Sequence, residues 1–194
     1  METPEQQIPS LVYVLFTAEI NPHTVETLMQ AMANLAQQKV SDVYLAISTP
    51  GGQVTAGIAL YNFLRSVPFN LTAHNIGNVD SIGNAVFLAA DRRVACANAT
   101  FMFHGVGFDQ QAGRYEEKPL REMLDGILSD QRRIGDIIVD RTLIEQDQVE
   151  GFFREAQTKT AEFARQWGIV HDVAEFHLPA GAPVISFVFQ RQRV

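Results

Sequence analysis

The sequence predicts an α/β fold with parallel strands, and three observations carry the prediction. Short apolar runs alternate with amphipathic helical segments, the connections between them are short, and no repeat, linker or low-complexity stretch interrupts the alternation. Alternation of this kind, closed by short loops, implies right-handed crossovers. With 194 residues, 46% hydrophobic and 19% charged, the chain has the make-up of one domain with a sizeable core, read here as 1–194.

Taken in order, "LVYVLF" (11–16) and "DVYLAI" (42–47) read as buried strands, being short, β-branched and aromatic, and bounded by turn residues. Between them "NPHTVETLMQAMANLAQQ" (21–38) reads as a helix. Asn21 is its expected cap, Pro22 suits the first turn, and Val25, Leu28, Met29, Met32 and Leu35 give the three-four spacing of one apolar face. "STPGGQ" leads into a second helix, "VTAGIALYNFLRSV", which stops before Pro68. "NLTAHNI" (70–76) is a third strand, followed by the polar turn "GNVDSIG" and a helix after Ser81. "RRVACA" and "TFMFH" read as two short strands around the turn "NAT". A long charged helix is expected over 116–142 and a shorter one near 160–167; "APVISFVF" (182–189) reads as a late strand.

The charge of −7 argues against nucleic acid, whose phosphates would be repelled. "RQRV" at the C-terminus reads as a solvated tail. The single cysteine, Cys96, has no partner for an internal disulfide and is expected to pack as a small buried side chain. The first ten residues lack the basic and apolar regions of a secretory signal, and no apolar run approaches the ~20 residues needed to span a bilayer. The expected compartment is the cytoplasm, with no membrane partner. No histidine pair has metal-ligand spacing, so neither a metal site nor a cofactor is expected.

Three short stretches are candidates for chemistry. The two glycines of "STPGGQ" stand between a strand and a helix, where they permit a sharp turn with exposed N–H groups. A tight turn and a phosphate loop are both open readings, although no Lys-Ser/Thr follows as in a Walker motif. Ser81 lies at a second strand-to-helix turn. It, or Asp80, is a helix cap by default; the functional reading is a nucleophile aimed outward from the turn. His104 ends the strand "FMFH"; it is structural, or it is the base that a nucleophilic serine requires at neutral pH.

Taken together and in this order, "STPGGQVTAGIALYNFLR", "GNVDSIGNAVFLAADRRVACANATFMFHG" and "AEFARQWGIVHDV" resemble the Clp protease proteolytic subunit family over residues 12–173. The resemblance implies a crotonase-like ββα superhelix in which helix 116–142 is the long handle joining two rings. It implies that Ser81 is the nucleophile of a serine endopeptidase acting on polypeptides, His104 its general base, and the N–H groups of Gly52 and Ile82 its oxyanion hole. One such donor is typically worth ~3 kcal/mol of transition-state stabilisation. It further implies assembly into heptameric or tetradecameric rings.

The chain also departs from the family. Counting back from "WGIVHDV", the position of the family's third catalytic residue, an aspartate, falls on Ala156. A one-residue slip of register brings Gln157 or Glu155 there instead, and Asp147 lies a turn or more upstream. A triad without its acid can lose about 10⁴ in kcat. No apolar axial-loop segment is recognisable near the N-terminus, and 174–194 match no family pattern, so an AAA+ unfoldase partner does not follow from the sequence. Two alternatives accompany the peptidase reading: a weak or inactive ring subunit serving as scaffold, favoured by Ala156, and a crotonase-type acyl-CoA enzyme using the same oxyanion hole. The retained Ser81 and His104 oppose both.

Overall fold

The computed structural model describes residues 9–108 and 113–187. The tail "RQRV" and the first eight residues lie outside them. One eight-stranded sheet runs β6 (Gln157–Thr160), β5 (Thr100–Phe103), β3 (Asn70–Asp80), β2 (Asp42–Thr49), β1 (Leu11–Thr17) and β8 (Val184–Phe187), with β4 (Arg92–Ala95) pairing with β3 and β7 (Asp172–Val173) pairing with β4. Strands β1 (Leu11–Thr17), β2 (Asp42–Thr49) and β3 (Asn70–Asp80) form its parallel centre. The connecting helices α1 (Pro22–Gln37) and α2 (Val54–Ser66) each bury one face: Val25, Leu28, Met32 and Leu35 from the first, Ile58, Leu60 and Leu64 from the second. Asn21 caps α1 as expected, its side chain accepting from the Thr24 N–H at 3.0 Å while the Thr24 hydroxyl accepts from the Asn21 N–H at 3.1 Å.

β3 is longer than the apolar run that announces it, because the polar turn "GNVD" continues as strand. Its register against β2 shifts between Ile47–Asn75 and Thr49–Val79, leaving three residues of β3 opposite one of β2. Ser48 and Asn78 bridge the irregularity with a 2.9 Å hydrogen bond. The bend divides the far edge of β3 between two partners. Thr72–Asn75 pair with β4 (Arg92–Ala95), and Asn78–Asp80 pair with β5 (Thr100–Phe103), both in parallel. β4 and β5 are therefore two short strands around the turn "NAT", as expected, and each is a neighbour of the one bent strand.

Between β3 and β4 lies α3 (Gly83–Leu88), every residue of which is buried. After the long α4 (Glu117–Arg141) come two elements the sequence reading passed over, α5 (Gln146–Glu155) and β6 (Gln157–Thr160). β6 pairs with β5 and is the antiparallel member of the sheet. α6 (Ala161–Gln166) and β7 (Asp172–Val173) follow, and β8 (Val184–Phe187) lies parallel on β1. Cys96 is buried, as expected. Among the described residues, no helix is long and apolar enough to cross a membrane.

Candidate active site

The C-terminal ends of β2 and β3 bring the two singled-out turns together. Gly51 and Gly52 hold φ of +85° and +145°, and a Cβ on Gly51 would stand 2.7 Å from the Cβ of Ser81. A Cβ on Gly52 would stand 2.1 Å from the Ile20 carbonyl oxygen. The pair is glycine because two backbones meet there. Gly52 forms a parallel bridge with Ile20, carried by Ile20 N–H to Gly51 O (2.7 Å) and Gln53 N–H to Ile20 O (2.8 Å). In that pattern the N–H of Gly52 itself points away from Ile20. The N–H of Ile82, just before α3, has no intrahelical acceptor, as at any helix start.

Ser81 adopts φ +55°, a left-handed conformation that costs a residue with a Cβ about 1–2 kcal/mol. The default reading as a helix cap is not what the structure contains. α3 has no side-chain cap, Asp80 instead accepts from Asn78, and the Ser81 hydroxyl makes no hydrogen bond among the described residues. The turn is held by backbone bonds from Ser81 N–H to Met102 O (2.8 Å) and from Asn84 N–H to Ser81 O (3.0 Å).

Ser81 and His104 line the same cleft, about 90 Å³ in volume, with Gly52, Val54, Ile134 and Phe153. The His104 ring bonds through Nδ1 to the Gly105 carbonyl at 2.7 Å. A carbonyl only accepts, so Nδ1 carries the proton and Nε2 is left as an acceptor. Ser81 and His104 share the cleft without being in hydrogen-bond contact. A neighbouring hollow of about 620 Å³ shares Gly52, Val54, Val106 and Gly107 with the cleft and is lined by Met123 and Ile127 of α4.

The region of the third residue is built by α5 and β6. Ala156 ends α5 at φ +52°. The β5–β6 pairing ends at Phe103 with Gln157, which leaves His104 and Ala156 each one residue beyond the last pair. Glu155 and Gln157 bond to each other, and Gln157 also accepts from Lys159. The Lys159 ammonium lies 4.6 Å from the Phe152 ring centre and 4.7 Å from that of Phe163. Neither Glu155 nor Gln157 hydrogen-bonds to His104; the carbonyl of Gly105 does.

With this geometry in view, comparison with known proteins gives one family. The Clp protease pattern matches residues 5–177. The chain belongs to the Clp protease family. A solved structure of a ClpP1 mutant from Listeria monocytogenes superposes with a TM-score of 0.74 at 23% identity, covering 84% of this chain and 91% of that one. The fold is thus the crotonase-like one of the Clp proteolytic subunits, as the sequence predicts.

One residue at the site escaped the sequence reading. Asn84, in the first turn of α3, is 1% exposed, and its Nδ2 donates to Ser81 O at 3.0 Å and to Met102 O at 2.8 Å. The available signal was a lone amide in the otherwise apolar "GNAVFLAA".

Proposed function

We propose that the chain is a serine endopeptidase of the Clp type that cleaves polypeptides through an acyl-enzyme on Ser81. The observation that carries the proposal is the placement of Ser81 and His104 in one cleft, with the histidine's Nε2 free to accept. Nε2 takes the Ser81 proton as Oγ attacks the scissile carbonyl carbon, and the oxyanion is received by the N–H groups of Gly52 and Ile82. The imidazolium then protonates the departing amine, and water repeats the sequence to release the acid. The adjoining 620 Å³ hollow supplies room for side chains flanking the scissile bond.

With Ala156 at the family's acid position, the Gly105 carbonyl orients the ring instead. A carbonyl fixes the tautomer but stabilises the imidazolium less than a carboxylate does, so the enzyme is a slow one. The specific observation favouring the second reading, a ring subunit with little activity, is this same alanine. By family resemblance the chain folds as one domain, works in the cytoplasm and assembles into rings. Leu120, Leu124 and Leu128, each about half exposed along one side of α4, give the handle an apolar face for that assembly.

Covalent labelling by a fluorophosphonate, read by intact mass on the wild type and on Ser81→Ala, tests the proposal. One adduct on the wild type and none on the variant is expected. A folded, assembled wild type that takes no label overturns the peptidase reading.

A further inference from the structure

We infer that Asn84 is a positioning residue that fixes the distance between the turn carrying Ser81 and the strand leading into His104; the inference rests on the peptidase reading above. Its side chain closes a ring of hydrogen bonds. The Ser81 N–H donates to Met102 O at 2.8 Å, Asn84 Nδ2 donates to the same oxygen at 2.8 Å, and the other Nδ2 proton goes to Ser81 O at 3.0 Å. Met102 lies two residues before His104 on β5, and Ser81 immediately follows β3. One amide therefore spans the two chain segments that must agree for proton transfer, and it holds the carbonyl of a residue already in a left-handed conformation.

The chemistry of the site requires an amide here. Both acceptors are carbonyl oxygens, which a neutral NH₂ serves together without burying a charge; a carboxylate would face two lone-pair dipoles and a hydroxyl would satisfy one. The arrangement also leaves Asn84 Oδ1 buried without a hydrogen-bond partner among the described residues. An orphaned acceptor in a fully buried helix is a cost that an apolar side chain would avoid. The amide is retained against that cost for what its NH₂ group holds.

The same hydrogen bonds separate this role from a merely structural one. When the side chain is removed, Met102 O keeps the Ser81 N–H and Ser81 O keeps the Asn84 N–H, so no carbonyl is orphaned. Folding then suffers little while the register between serine and histidine loosens, and misplacement by about 1 Å can cost 10²-fold in rate.

The test compares wild type, Asn84→Ala, Asn84→Leu and Asn84→Ser for fluorophosphonate labelling rate and for kcat and KM on an unstructured polypeptide, well below each melting midpoint. Asn84→Ala is expected to label and turn over at least about tenfold more slowly, with KM changed less than about twofold. Asn84→Leu, which keeps the volume but donates nothing, should behave alike, and Asn84→Ser, with one donor, should recover part of the rate. A wild type that labels while a folded Asn84→Ala labels as fast overturns this inference alone. Rate losses that track the fall in melting midpoint, with no recovery in Asn84→Ser, also overturn it. A wild type that takes no label at all overturns the peptidase reading and this inference with it.

Discussion

Two side-chain-bearing residues at the site, Ser81 and Ala156, hold positive φ, at +55° and +52°. For Ser81 the surrounding hydrogen bonds justify the strain, because the left-handed turn is what presents the hydroxyl to the cleft. For Ala156 no side-chain function accompanies it, and alanine is a poor choice there; Asp and Asn tolerate this conformation better. Ala156 and His104 each lie one residue beyond the last β5–β6 pair, Phe103 with Gln157. Ala156→Asp should therefore relieve backbone strain and supply a carboxylate to the imidazole. The expected result is a labelling rate raised by at least about tenfold, out of the ~10⁴ that a missing acid can cost. An unchanged rate in a folded variant would show that the Gly105 carbonyl already does all the orienting His104 needs. The glycine pair was legible in the sequence because backbone geometry admits so few residues there, and Ser81 was singled out by its place at a strand-to-helix turn. Asn84 was not, because its meaning depends on Met102, eighteen positions away and on another strand.

At the scale of elements, the sequence revealed those with a strong apolar period and missed those held by context. β6, "QTKT", carries no apolar residue and is a strand because β5 offers it an edge. α5 buries only Val149 and Phe152. The ends of several elements are fastened by one buried cation that sequence alone could not place. Arg93, on β4, is 4% exposed and donates to Ile169 O (2.8 Å), Ala90 O (3.1 Å), Arg141 O (3.1 Å) and Gly168 O (3.1 Å). These carbonyls lie after α3, at the end of α4 and beyond α6. Burial, with the nearby Arg141 charge, pushes the guanidinium down to about 10, so it stays charged at neutral pH. Arg93→Met keeps the apolar stem and removes every one of these donors. We expect it to lower unfolding stability by about 2 kcal/mol or more, since Ala90 O keeps the Arg141 guanidinium while Ile169 O, Arg141 O and Gly168 O lose the arginine, and a buried carbonyl left unsatisfied costs ~1–3 kcal/mol. Urea melts of wild type and variant check this; a loss within 0.5 kcal/mol, about the ordinary scatter of surface substitutions, would mean that water replaces the arginine.

Across the whole molecule, the bend in β3 is what makes one sheet serve both as core and as candidate site: its first half pairs with β4, and its second half pairs with β5 and delivers Ser81 beside Gly51. The same first half carries His74, which is fully buried and ties the sheet to the segment leading to β8. The Tyr44 hydroxyl bonds to its Nδ1 at 2.8 Å, its Nε2 bonds to Ala174 O at 3.1 Å, and Phe176 packs edge-on at 5.6 Å. Desolvation depresses its pKa, the Ala174 carbonyl and Glu175 opposing only in part. His171 is depressed too, by burial first and then by the charges of Arg93, Arg92 and Arg141. Both histidines are therefore neutral in the folded protein at a pH where the unfolded chain, near its ordinary value of about 6.5, already binds protons. Stability is fully present above that value and is lost as pH falls below it toward the folded pKa values, by up to about 1.4 kcal/mol per pH unit for each histidine. The exposed carboxylates with lowered pKa, Asp42 and Glu162, act at lower pH and leave this window clear. The melting midpoint of the wild type should fall between about pH 7 and pH 5. The variant carrying both His74→Gln and His171→Gln, though less stable at neutral pH, should show a markedly flatter profile over the same range. Parallel profiles for the two proteins would show that neither histidine couples folding to pH.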